Sequence, residues 1–134
     1  MCLWGEDSDN MTSAGWRCKT LNSIRTMLKH NVIDVLKIDI EGGERRAFPE
    51  MLTSGTLRFV KQIVFEFHVP GDPIQHRDGI AEEWFRLYNM LFEDQGFKLF
   101  FSWQNPRKRL TDWGTVAGNH SHNLEISWIN THYI

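Results

Sequence analysis

Val32–Ile40 reads VIDVLKIDI, and Glu41-Gly42-Gly43-Glu44 follows it directly. A run so rich in β-branched and apolar residues, without glycine or proline, predicts a buried strand. The two glycines then let the chain turn from strand into helix. On the carboxyl side, Met51, Leu52 and Leu57 continue an apolar face. Phe48-Pro49 is expected to divide that helix, because proline fits best at the first position of a new helical turn.

Gln62–Val69 (QIVFEFHV) predicts a second strand, ended by the breakers Pro70, Gly71, Asp72 and Pro73. Ile80, Trp84, Leu87, Tyr88 and Leu91 recur at helical spacing and mark an amphipathic helix, closed by Gly96. Phe97–Trp103 (FKLFFSW) reads as a third strand and Leu124–Ile129 (LEISWI) as a fourth. Residues 104–123 between them are polar and rich in Gly, Asn and His, which reads as a loop. Upstream, Leu21, Ile24 and Leu28 predict a helix over Leu21–Lys29, stopped by His30-Asn31. Residues 1–19 read as a loop with one short strand near Trp16–Lys19.

Strands that alternate with helices predict an α/β fold, a mostly parallel sheet with helices on both faces. The last two strands have no helical segment between them and are expected to end the sheet as an antiparallel hairpin. The length of 134 residues fits one domain. With 41% hydrophobic and 13% aromatic residues there is enough apolar surface for a core, which argues against disorder. A net charge of −2 removes the electrostatic case for a nucleic-acid partner. No apolar run reaches the ~18 residues of a membrane span. The start, MCLWGEDSDN, has neither the basic opening nor the apolar stretch of a secretory signal. Cys2 and Cys18 are too few for a disulfide scaffold and too far apart for a zinc or redox motif. Their pairing, and the compartment, stay open.

Asp34–Glu44 (DVLKIDIEGGE), placed within this element order, resembles the FkbM-type methyltransferase domains. Leu36, Lys37, Ile38, Asp39, Glu41, Gly42 and Glu44 match that family's strand-and-turn motif. Glu66-Phe67-His68, Gly96-Phe97 and Glu125–Asn130 fit its later elements in order, so the resemblance covers residues 17–130. It implies a Rossmann-like fold and S-adenosylmethionine as cofactor in the complete domain. Such domains open with a strand and a Gly-rich turn that hold the cofactor, and no GxGxG occurs here. Residues 1–134 are therefore expected to form a single incomplete domain that lacks its amino-terminal Gly-rich half and is inactive alone. The first strong strand would then carry an unpaired edge.

In open α/β sheets the ligand lies at the carboxyl ends of the strands. Asp39 and Glu41 end the first strong strand, and Glu66 and His68 end its neighbour. Asp39, Glu66 and His68 are the candidate catalytic residues; Asp39, Glu41 and Gly42 are the candidates for contact with the cofactor. The structural alternative is that Lys37 pairs with Asp39 or Glu66, while Glu41 and Glu44 favour the following helix N-terminus. His120 and His122 with His68 have the ligand chemistry of a metal site but no HExxH-like spacing, and no metal is assigned. Trp103 and Trp113 could line a substrate cleft, whereas Trp84 and Trp128 read as core. The resemblance implies O-methylation and leaves the acceptor, a small molecule, glycan or peptide, open. The rival readings are a non-catalytic interaction module that keeps the fold, and a metal-dependent hydrolase built on Asp39, Glu66, His68 and the loop histidines.

Overall fold

A computed structural model describes residues 1–12, 14–68, 80–104, 110–112, 119–121 and 123–134. The amino-terminal segment holds the short strand expected near Trp16–Lys19 and two more where a loop was expected. They are β1 (Cys2–Leu3), β2 (Ser8–Met11) and β3 (Arg17–Lys19), joined in the order β1-β3-β2. Cys2 stands opposite Cys18 in the parallel β1–β3 pair, and the two form a disulfide. In the chain-entropy view, closing a loop of this size stabilises the fold by about 3 kcal/mol. Strands this short, in a polar segment, leave no alternation to read; the disulfide compensates for the missing apolar surface.

Helix α1 (Leu21–Met27) begins at Thr20, whose hydroxyl accepts from the Ser23 N–H at 3.2 Å. Strand β4 (Ile33–Ile38) is followed by α2 (Glu44–Thr53), which runs unbroken through Pro49. A proline inside a helix costs about 3 kcal/mol. Burial of Phe48, Met51 and Leu52 on that helix offsets the cost, so the expected division does not occur. Then come β5 (Val60–His68), α3 (Ile80–Asn89) with a π-helical turn over Met90–Asp94, and β6 (Phe97–Gln104). Within the segment read as a loop, β7 (Leu110–Asp112) pairs antiparallel with β8 (Asn119–Ser121). The last strand is β9 (Asn123–Asn130).

The main sheet has the order β4-β5-β9-β6. The α/β class holds, and β6 and β9 pair antiparallel as expected of the last two strands. The mostly parallel sheet does not hold. Only β4 and β5 are parallel; β9 inserts between β5 and β6 and runs antiparallel to both. Such long-range insertion has no local sequence signal. β4 stands at the edge of this sheet.

Alternation gives the sheet two faces. One carries Ile38, Ile63, Phe65 and Trp128, which share a core with Leu21 of α1, Phe48 and Met51 of α2 and Trp84 and Leu87 of α3. Phe48 lies 5.2 Å from Phe65 between ring centres, and Tyr88 meets Trp128 edge-on at 4.7 Å. The other face carries Val35, Phe101 and Trp103, which are 55%, 51% and 43% exposed. Helices on both faces were expected; among the described residues, all three helices pack on the same one. Asn130 closes the core, its amide donating to the Val60 carbonyl at 3.0 Å. No helix among the described residues is long and apolar enough to cross a membrane.

Candidate functional site

The site is built where β4 gives way to α2. Past Ile38 the chain turns through Asp39, Ile40, Glu41, Gly42 and Gly43, and two of these residues hold left-handed backbone. Gly42 has φ +95°, and Glu41, which carries a side chain, has φ +52°. Strained conformations of that kind collect at ligand sites. A Cβ on Gly42 would meet open space, so only the backbone angle demands glycine there.

Glu44 holds the turn in place. Its carboxylate, 2% exposed, accepts from the Ile40 N–H and from the Gly42 N–H, both at 2.8 Å. The residue therefore ties the end of the strand to the start of the helix, and its role is structural, as the helix-terminus reading held. Its neighbour Arg45 reaches Glu83 of α3 at 2.7 Å, which fixes α2 against α3.

Asp39 and Glu41 are exposed at this carboxyl end. Ile38 pairs in register with Phe65, so one further step sets Asp39 abreast of Glu66 on the neighbouring strand. Glu66, 7% exposed, stands opposite Glu125 of β9, and Glu125 stands opposite Trp103 of β6. A transverse row, Asp39–Glu66–Glu125–Trp103, thus crosses the helix-free face. Lys37 forms its ion pair with Glu125 at 3.9 Å, and so reaches beyond the two partners expected for it, Asp39 and Glu66. Glu125 belongs to the strand pattern of the sequence and is not among its candidate site residues. Its signal was a lone carboxylate within the alternation of LEISWI.

His68 ends β5, paired in register with Asn123, but its side chain lies outside the described residues. The side chains of His120 and His122 and all of Trp113 lie outside them too. Among the described residues, no group of three or more His, Cys, Asp and Glu side chains stands ready to hold a metal ion.

A cavity of about 510 Å³ opens beside the first turn of α2, lined by Trp4, Gly5, Glu6 and Arg46. The segment that forms its wall is pinned on its far side by Asp7. The Asp7 carboxylate accepts from the Thr20 N–H at 2.8 Å and the Ser23 hydroxyl at 2.7 Å. The bond from the Thr20 backbone, then that from Ser23, holds its pKa below the ordinary 3.8. Burial pushes the Glu50 carboxyl on α2 the other way, upward.

The arrangement offers exposed carboxylates beside a rigid turn at the carboxyl end of a parallel strand pair. Such a site can accept hydrogen bonds from hydroxyl or ammonium groups and can take up a proton. The model of the Methyltransferase FkbM domain matches residues 6–99. The human protein named "Probable methyltransferase-like protein 24" is 30% identical over 118 residues, covering 86% of this chain and 32% of that protein. The rat protein of the same name is 28% identical over the same shares. The chain thus spans about a third of the length of these relatives. No solved structure matches it.

Proposed function

The chain belongs to the FkbM methyltransferase domain family, and on that premise we propose that it forms the second half of an S-adenosylmethionine-dependent methyltransferase domain acting on an acceptor hydroxyl. The observation that carries this reading is the placement of Asp39: exposed, at the carboxyl end of β4, beside the left-handed turn of Glu41 and Gly42. The fold class keeps its ligands at that end.

S-adenosylmethionine, when bound, supplies a methyl carbon on a sulfonium sulfur that departs as a thioether. The protein's part is alignment and proton removal. Asp39 takes the hydroxyl proton as the acceptor oxygen attacks, with His68 the alternative base. Glu66 orients the group that acts. Glu41 and Gly42 would hold part of the cofactor, with its remaining contacts supplied by a Gly-rich half outside these residues. Residues 1–134 are accordingly one incomplete domain, inactive alone. The edge of β4 suits pairing with a strand of the missing half, and Val35, Phe101 and Trp103 suit cover by its helices.

The exposed Val35, Phe101 and Trp103 support a second reading, a non-catalytic module that docks another protein there. Asp39→Asn in the longer protein separates the two. As base, Asp39 is worth roughly 10²-fold or more in methyl transfer. The denaturation midpoint should move by only about 1 kcal/mol. Unchanged transfer, or none in the parent protein, removes the catalytic reading.

A further inference from the structure

The segment Trp4-Gly5-Glu6 is clamped from three sides. The Cys2–Cys18 disulfide and the bond from the Trp4 N–H to the Lys19 carbonyl (3.0 Å) hold one end. Asp7, bonded to Thr20 and Ser23, holds the other. In the middle, Gly5 lies so close to α2 that a Cβ there would overlap the Arg46 carbonyl. The cavity between this segment and α2 is therefore preorganised, its wall ordered before any ligand arrives. Arg46 and Glu6 are both exposed on its rim, and among the described residues neither forms an ion pair.

We propose that this cavity is the acceptor pocket, a step that rests on the methyl-transfer reading, and that it takes a hydroxyl-rich ring, a glycosyl unit. A guanidinium only donates hydrogen bonds and an ionised carboxylate only accepts them. A rim that carries one of each, unpaired with the other, matches hydroxyl groups, which do both. A purely anionic ligand meets repulsion from Glu6, and a purely cationic one meets it from Arg46. Trp4 lines the cavity, and an indole is the kind of apolar surface that takes the C–H side of a sugar ring. The volume of about 510 Å³ falls within the usual range for small-molecule sites. Arg46 sits on the first turn of the helix that Glu44 ties to the Asp39–Gly43 turn, so one wall of the pocket and that turn belong to the same end of α2.

The test is ligand-observed saturation-transfer NMR on the 134-residue chain, with methyl β-glucoside, methyl β-galactoside and methyl β-xyloside as probes and no methyl donor. The expected result is transfer to the C–H protons of one ring face of at least one probe, lost in Trp4→Ala. Arg46→Ala and Glu6→Ala, both on the exposed rim, should each weaken binding by about tenfold. These two variants keep the test independent of whether Trp4→Ala folds. The proposal is overturned if no probe shows transfer, or if both rim variants bind as the parent chain does. It is equally overturned if free methionine shows transfer that the rim variants abolish while the glycosides show none, which would assign the pocket to a zwitterion. Methyl donor is absent throughout, so a negative result removes the pocket and leaves the methyl-transfer reading to its own experiment.

Discussion

Glu66 of β5 and Glu125 of β9 stand directly opposite each other in the antiparallel register of the main sheet. Like charges so placed destabilise a sheet. Lys37, reaching across from β4 to Glu125 at 3.9 Å, offsets part of that repulsion. Lys37 is about half exposed, so solvent screens the pair and its worth is small. Lys37→Gln should cost about 0.5 kcal/mol, and Glu125→Gln should restore most of that loss. Urea denaturation of the two single variants and the double variant checks it; simple additivity would mean that Lys37 and Glu125 do not couple.

Glu44 carries more. Its removal leaves two backbone N–H groups, of Ile40 and Gly42, without their acceptor in a part-buried turn. Glu44→Ala should cost about 2–4 kcal/mol, the loss of two charge-assisted hydrogen bonds net of partial rescue by water. Denaturant titration measures it, and a loss under about 1 kcal/mol would contradict the role assigned.

Glu41 separates stability from function. Its left-handed backbone is strained for a residue with a Cβ, and glycine relieves it. Glu41→Gly should raise stability by about 1 kcal/mol in the longer protein while weakening its affinity for S-adenosylmethionine. A variant that is more stable and binds the cofactor unchanged would remove Glu41 from the site.

Asp7 sets an acid limit on the amino-terminal clamp. Its folded pKa lies below 3.8, so the unfolded chain takes up its proton first as pH falls. The stability it contributes is complete above 3.8 and is lost as pH drops through the lower, folded value. Asp7→Asn should flatten that acid loss without changing stability's slope above pH ~5. Midpoints measured from pH ~2.5 to 7 for both chains decide it; parallel curves would place the acid sensitivity elsewhere.

Local pattern was enough for the large elements. Ile33–Ile38 of VIDVLKIDI, Gln62–His68 of QIVFEFHV, and all of FKLFFSW and LEISWI lie in strands, and the periodic Trp84, Leu87 and Leu91 face the core. What escaped is what pairing between distant residues decides. The insertion of β9 between β5 and β6, and the gathering of the helices on one face, depend on contacts that no window of sequence contains. The short strand expected near Trp16–Lys19 is β3, whereas β1 and β2, which pair with it beside the disulfide, escaped. The position of Asp39, Glu41 and Gly42 at the end of a strand was legible because a strand, its end and a Gly-Gly turn are local features. Glu125 was not, since only the register of β9 against β5 brings it beside Glu66.

On the function proposed above, these residues hold one half of a cofactor site and a Gly-rich segment holds the other. Calorimetric titration of S-adenosylmethionine tests it most directly, run on the 134-residue chain and on the longer protein. The account predicts no measurable binding to the chain alone and micromolar binding to the longer protein. Micromolar binding to the chain alone would show a complete cofactor site within residues 1–134, and no binding to either would show that there is none to complete.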